Sequence, residues 1–235
     1  MTDVLISGPA ASTRPVIDPD APGALWAVGA AGSADGLIDY PVSNRDMTAD
    51  TRWASGRLTA MGITKGALLD FVHNYRECGQ FWPYYMAAAA MGAPVMNGMA
   101  TQWDVGRTEM YARRFDLRLI MGISGATIEG LKAFGHDPGK VFARAPVLIA
   151  REPAASMLEA GGLKPWRLTL LGPLLLTAAA GEGAPYDRSE WTVTADAGGR
   201  LLVSSGQERA ARFDRLDTGL RGRVEGDRVF VDVAA

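Results

Sequence analysis

Residues Met61–Ser124 read MGITKGALLDFVHNYRECGQFWPYYMAAAAMGAPVMNGMATQWDVGRTEMYARRFDLRLIMGIS, and the order of patterns within them decides the fold. Leu68–Val72 is a short apolar run of the kind a strand buried on both faces shows, and Gln80–Met91 after it reads as a helix. Pro94–Met96 predicts a second strand, Trp103–Phe115 a charged amphipathic helix and Leu117–Met121 a third strand. Two strand-helix-strand units in succession predict right-handed crossovers and a mostly parallel sheet flanked by helices. In such sheets the ligand site lies beyond the carboxyl ends of the strands, which here carry His73, Asn74, Tyr75, Asn97 and Ser124.

Downstream the alternation continues. Ala126–Phe134 reads as a helix, GHDPGK (Gly135–Lys140) as a turn, Ala145–Ala150 as a strand, Pro153–Ala160 as a short helix and Trp166–Leu171 as a further strand. The period then changes to two. Trp191–Ser205 predicts a hairpin turning at Gly198 and Gly199, and Arg221–Val233 a second one turning at Gly226 and Asp227. Upstream, residues 1–23 are rich in Pro, Ala, Ser and Asp and read as an extended lead-in. Ala24–Met47 begins as a strand, passes through small residues between Val28 and Ser33, and resumes at Leu37 and Ile38. Gly29, Gly32 and Gly36 suit two structures, a phosphate-holding loop or a Gly-rich hairpin turn. Ser43–Met61 is a helix capped by Ser43 or Asn44, with Met47, Trp53, Ala54 and Leu58 as its apolar face and Gly62 as its stop. The expected class is therefore α/β, with a lead-in (1–23), an α/β core (24–180) and a small C-terminal β-hairpin subdomain (181–235) packed on it.

Composition narrows the functional classes. At 48% hydrophobic and 21% charged residues the chain is ordinary for a globular protein, and it holds no apolar run long enough to span a membrane. A net charge of -2 gives no electrostatic footprint for nucleic acid. A single cysteine, Cys78, rules out an internal disulfide framework, and the N-terminal residues lack the basic and apolar regions of a secretion signal, so a cytoplasmic location is expected. His73, His136 and Cys78 form no ligand spacing, which predicts no metal site.

The order of parts resembles the adenylate-forming (acyl-CoA synthetase, AMP-binding) superfamily, in particular its phenylacetate-CoA ligase-like branch. The resemblance is carried by AMGITKGALLDFVHNY, by MAAAAMGAPVMNG, by LRLIMGISGATIEGLKAFGHDPGK and by GGRLLVSSGQERAARFDRLDTGLRGRV, and it covers residues 24–224. It implies a nucleotide site, for ATP or AMP, built from Gly29, Ala31, Gly32, Ser33, Asp217, Thr218 and Gly219, with CoA as a further ligand of the family. It also implies that the family's mobile C-terminal domain, with its catalytic lysine, would begin near the end of this sequence. The departures fall on ATP chemistry. AVGAAGSADG offers one hydroxyl, Ser33, and no lysine; the family's ribose-holding carboxylate falls at Leu220; and the segment aligned with the adenine- and magnesium-contacting residues is the aliphatic LGPLLLTAAAGEG, with Glu182 as its nearest acid. These departures predict a degenerate ligase-like protein that binds an acyl, aromatic-carboxylate or CoA-type ligand without adenylating it. The alternative is a working AMP-forming ligase fragment completed by a partner chain.

His73, Tyr75, Phe81, Trp82 and Ser124 are the expected ligand-binding residues, since aromatics around a histidine and an asparagine suit an acyl or aromatic ligand. Packing in the core or at an interface explains the same aromatics equally well. His73 is a weak general-base candidate, because no carboxylate partner can be assigned to it from spacing. Tyr75, Tyr84, Tyr85 and Tyr111 lack a lysine four positions on, and GISGA lacks the second glycine of a nucleophile elbow, which argues against a short-chain dehydrogenase and an α/β hydrolase. Trp82, Tyr84, Tyr85 and Met86 predict a dimer-facing helix and hence a homodimer.

Overall fold

The structure, a computed structural model, describes residues 25–232, so the lead-in expected over 1–23 and the end of the last hairpin at Val233 lie outside the described residues. The chain opens with β1 (Leu25–Ser33) and β2 (Gly36–Ser43), paired antiparallel around a turn at Ala34 and Asp35. The small residues of AVGAAGS are thus strand rather than loop. Their size has a packing cause: a Cβ on Gly29 would lie 2.5 Å from the Tyr40 ring, and one on Gly79 would lie 3.0 Å from the Gly29 Cα. Only glycines let these backbones meet under that ring.

Helix α1 (Asn44–Ala60) starts at a reciprocal capping box. Ser43 Oγ accepts from the Asp46 N–H at 3.1 Å, and Asp46 accepts from the Ser43 N–H at 3.0 Å. Then come β3 (Leu68–Val72), a 3-10 turn (Tyr75–Glu77), α2 (Cys78–Ala90), β4 (Val95–Gly98), α3 (Val105–Arg114), β5 (Leu117–Ile123) and α4 (Gly125–Ala133). The turn expected at GHDPGK is α5 (Pro138–Phe142): Asp137 caps it by accepting from the Gly139 and Lys140 N–H groups, and Pro138 opens its first turn. β6 (Val147–Ala150), α6 (Ala154–Ala160) and β7 (Trp166–Leu171) follow, and then a strand that the periodicity did not separate, β8 (Leu174–Ala178). The chain reverses at Gly172, whose φ of +57° suits glycine, so one aliphatic stretch becomes an antiparallel pair.

The six-stranded sheet runs β4-β3-β5-β6-β7-β8 and is parallel except for β8. Helices α1 and α2 cover one face over Leu69, Phe71, Leu119, Met121 and Ile149, whereas Ile120, Ile123, Leu148 and Ala150 meet the layer containing Val105, Ile128, Leu131, Phe142 and Leu158. Burying each such large side chain stabilises the fold by about 1.5–3 kcal/mol. The strand order reverses between β3 and β5, which opens a crevice at their carboxyl ends.

The remaining strands, β9 (Ala184–Pro185), β10 (Trp191–Ala195), β11 (Arg200–Ser205), β12 (Leu216–Glu225) and β13 (Arg228–Val231), form a second sheet in the order β10-β11-β12-β13-β9. Its apolar face shares a core with the β1–β2 hairpin and with β7 and β8, through Ala31, Ile38, Val42, Leu171, Leu174 and Leu176. A buried charge network joins this sheet to α1. Arg209, 2% exposed, donates to both Asp50 oxygens at 2.9 and 2.7 Å and to Glu190 at 3.1 Å, and it lies 4.0 Å above the Trp191 ring. Burial opposes the arginine's charge, but Asp50, Asp46 and Glu190 outweigh it and raise its pKa. Among the described residues no helix is long and apolar enough to cross a membrane.

Two consequences are measurable. Replacing Arg209 by Met strips the half-buried Asp50 of its partner and leaves the buried Glu190 with Arg45 alone, and urea unfolding should show a loss of about 3–5 kcal/mol. On β3, Asp70 is fully buried without a hydrogen-bond partner for either oxygen, and burial, aided by Asp104 and opposed by Arg107, raises its pKa to about 7. A carboxyl raised on folding weakens stability as pH climbs from about 4 to about 7. Asp70→Asn should therefore melt above the wild type at pH 8, with the advantage gone at pH 4.

Candidate functional site

A cleft of about 450 Å³ opens beyond the carboxyl ends of the parallel strands. Its walls come from four segments: Ala30, Ala31 and Gly32 of β1 with Leu37 of β2, the 3-10 turn with Asn74 and Gln80, Met99 just past β4, and Leu170 of β7. Gln80 fixes the junction of three of them by donating to the carbonyls of Ala30 (2.9 Å) and Gly172 (3.3 Å). The cleft's volume is in the range of small-molecule sites.

Within its wall, Glu77 is held twice. Its oxygens accept from Arg151 Nη1 at 2.5 Å and Nη2 at 2.6 Å, and the second oxygen also accepts from the Asn74 N–H at 2.9 Å. Burial pushes the Glu77 carboxyl upward, but the hydrogen bonds and charge of Arg151, with the Asn74 N–H, hold it below the usual carboxylate range. Arg151 follows β6 directly, donates its own N–H to the Ile123 carbonyl at 2.9 Å, lies 5.7 Å from the centre of the Phe81 ring and keeps a buried Nε without an acceptor. Arg76 stands exposed at the cleft and makes no ion pair among the described residues.

His73 closes β3. Its ring stacks on Phe81 at 4.5 Å and 15°, Nδ1 lies 2.9 Å from the Asn74 carbonyl, and Nε2 lies 3.2 Å from the Tyr85 hydroxyl. Burial lowers its pKa, and the neutral ring donates from Nδ1 to the Asn74 carbonyl, while the Tyr85 hydroxyl beside Nε2 donates its proton to Asn97 Oδ1 at 2.8 Å. Each nitrogen thus has a polar neighbour, and among the described residues no carboxylate is bonded to the ring. Gly122 carries the crowding here: with φ +102° it bends β5, and a Cβ would fall 2.1 Å from the Val72 carbonyl oxygen.

Of the five expected ligand residues, the structure brings Tyr75 into the cleft wall, 76% exposed. His73 lies behind that wall. Phe81 is fully buried against His73, Trp82 sits on the outer side of α2 with its ring 4.5 Å from Trp26, and Ser124 caps α4, its hydroxyl 3.0 Å from Thr127 Oγ1. Of the expected dimer-facing residues, Tyr84 is core and makes no surface, Tyr85 is half-buried, and Trp82 and Met86 are exposed.

The residues expected at a nucleotide site do gather, because the Ala34 N–H donates to the Asp217 carbonyl at 2.9 Å and so ties the β1–β2 tip to β12. Their polar groups are largely engaged within the protein. Ser33 donates to the Gly36 carbonyl, Thr218 donates to the Leu201 carbonyl, and the Asp217 carboxylate accepts from Arg200 at 2.9 Å and from the Gly219 N–H at 2.9 Å. Gly29 faces Tyr40, whereas Ala31 and Gly32 line the cleft.

Glu77, Gln80, Met99, Leu170 and above all Arg151 were not found from the sequence. The strand-end rule that selects His73 and Ser124 applies equally to the residue after Ala150, and N-Y-R-E at positions 74–77 has capping-box spacing.

No protein-family model matches the chain, and no curated relative does either. Solved structures do. A 2-hydroxyisobutyryl-CoA ligase in complex with 2-HIB-AMP and CoA superposes with a TM-score of 0.65 at 13% identity, over 85% of this chain and 52% of that one. The o-succinylbenzoate CoA synthetase of Bacillus subtilis gives 0.60 at 10% identity, over 90% and 50%, and the N-terminal subdomain of NpsA from Klebsiella oxytoca with 3-hydroxyanthranilyl-AMSN gives 0.61 at 10%, over 87% and 61%. The chain spans about half the length of the two CoA ligases. What these likenesses establish is architecture: the chain has the fold of the N-terminal domain of adenylate-forming acyl-CoA ligases.

Proposed function

We propose that this chain binds a small organic acid, acyl or aromatic, or its CoA-linked form, in the cleft beyond β3 and β5, and that it does so without ATP-dependent adenylation. The observation that carries the reading is the cleft's composition. Arg76 and Glu77, the latter paired with Arg151, line it beside the apolar Leu37, Met99 and Leu170, a composition suited to a ligand with one anionic end and one greasy end. The solved neighbours were captured with adenylates or analogues of organic acids, which supports the ligand class by analogy of fold alone.

A magnesium-triphosphate does not fit the residues present. The Thr218 hydroxyl and the Asp217 carboxylate are engaged within the β sheet, and no lysine lines the cleft. The segment that the resemblance aligns with the magnesium-contacting acid is β8, where Leu174, Leu175 and Leu176 are buried apolar core. Backbone N–H groups near Gly32 can still meet an anion, but they lack the side chains that would neutralise four negative charges.

In a thermal-shift screen, benzoate, phenylacetate, hexanoate and their CoA thioesters should raise the melting temperature with increasing concentration, because a ligand held only by the folded chain stabilises it by mass action. Magnesium-ATP should not, and carboxylate-dependent pyrophosphate exchange should be absent. Exchange above background, or tight magnesium-ATP binding, would overturn the reading in favour of a ligase fragment that a partner chain completes.

A further inference from the structure

We infer that Arg151, together with the Asn74 N–H, is the receptor for the ligand's carboxylate, and that Glu77 is a built-in surrogate which fills this receptor until an acid ligand displaces it. The inference rests on the reading of the cleft as an acid-binding site and adds which residue reads the acid and what competes for it.

Three features lead to it. The donors around Glu77 are arranged as a carboxylate receptor: two guanidinium nitrogens bind its two oxygens side by side, and a backbone N–H completes one of them. That receptor lies at the carboxyl end of β6, next to the strand-order reversal where α/β sheets place their ligands. The occupant sits on a short element. Glu77 ends a three-residue 3-10 turn whose other members, Tyr75 and Arg76, are exposed, and such turns open at little cost.

Arg151, by contrast, is fixed from both ends. Its N–H is bonded to Ile123, its guanidinium lies near the Phe81 ring, and Phe81 is fully buried and stacked on His73. Glu77 also lines the cleft itself, so the path by which it would leave is the path by which a ligand would arrive. Swinging Glu77 outward uncovers two or three donors aimed at one point. The buried Arg151 Nε, without an acceptor, shows that Glu77 does not saturate the guanidinium.

An internal competitor lowers apparent affinity by the fraction of time the receptor is closed. Glu77→Gln keeps the shape and the acceptor oxygen but removes the charge, so it should favour the open state. The test is isothermal titration of wild type, Glu77→Gln and the double variant Glu77→Gln/Arg151→Gln with benzoate and hexanoate, and with the neutral amides benzamide and hexanamide. The double variant leaves no buried carboxylate unpaired, and its melting curve checks that it folds.

The expected result is at least about tenfold tighter binding of an acid by Glu77→Gln, no change for the amides, and loss of the acid in the double variant. Acid binding that Glu77→Gln leaves unchanged, or that survives in the folded double variant, overturns the surrogate role and leaves the cleft reading standing. Equal tightening of the amides does the same. No acid binding by either the wild type or Glu77→Gln overturns both.

Discussion

The guanidinium of Arg209 is the group on which the arrangement of this molecule depends. It is supplied by the loop between β11 and β12, yet its partners Asp46 and Asp50 lie on α1 and Glu190 lies just before β10. Asp46 also accepts from the Ala210 N–H at 3.1 Å, so the same acid caps α1 and anchors the C-terminal sheet. Arg45 extends the network to Glu190 and Glu208. A cation this deeply buried is tolerable only with its acids in place, and the acids only with it. That mutual requirement fixes one orientation of the second sheet against the first. In that orientation β12 meets the β1–β2 tip at the Asp217 carbonyl, and β1 becomes a wall of the cleft.

The cleft therefore belongs to no single stretch of sequence. One wall is the hairpin, another is the turn after β3, and the rest comes from Met99 past β4 and Leu170 on β7. The cleft lies beyond the carboxyl ends of the parallel strands, while the hydroxyls and acids near the hairpin turn inward. Thr218 and Asp217 serve the second sheet's own hydrogen bonding, and β8 is apolar core on both sides. A scaffold of this kind can hold an acid by charge and apolar contact without a nucleotide to activate it.

Much of the fold was legible in the sequence because its central strands are buried on both faces. Leu68–Val72 and Leu117–Ile123 are apolar runs interrupted by one charge each, Asp70 and Arg118, and the Ser43 cap and the glycines at the two terminal hairpins set their elements' ends. β8 escaped because β7 and β8 are equally aliphatic and their reversal rests on one glycine, Gly172. α5 escaped because Asp-Pro-Gly opens a helix and a turn with the same residues. At the site, the strand-end rule found Asn74 and Tyr75. It missed the Glu77–Arg151 pair because that pairing joins residues far apart in sequence and depends on β5 and β6 lying side by side. Phe81 and Trp82 looked alike as letters, but the step of about 100° between adjacent positions of α2 points the first into the core and the second out toward Trp26.

The proposal that the cleft receives an organic acid on Arg151 and takes no nucleotide is tested most directly by a crystal structure of the chain soaked with benzoate and magnesium-ATP together. The account predicts a carboxylate on the Arg151 guanidinium, the Glu77 side chain swung away and no nucleotide along β1. Nucleotide seated between Gly32 and Thr218, or benzoate bound elsewhere with the Glu77–Arg151 pair intact, would contradict it.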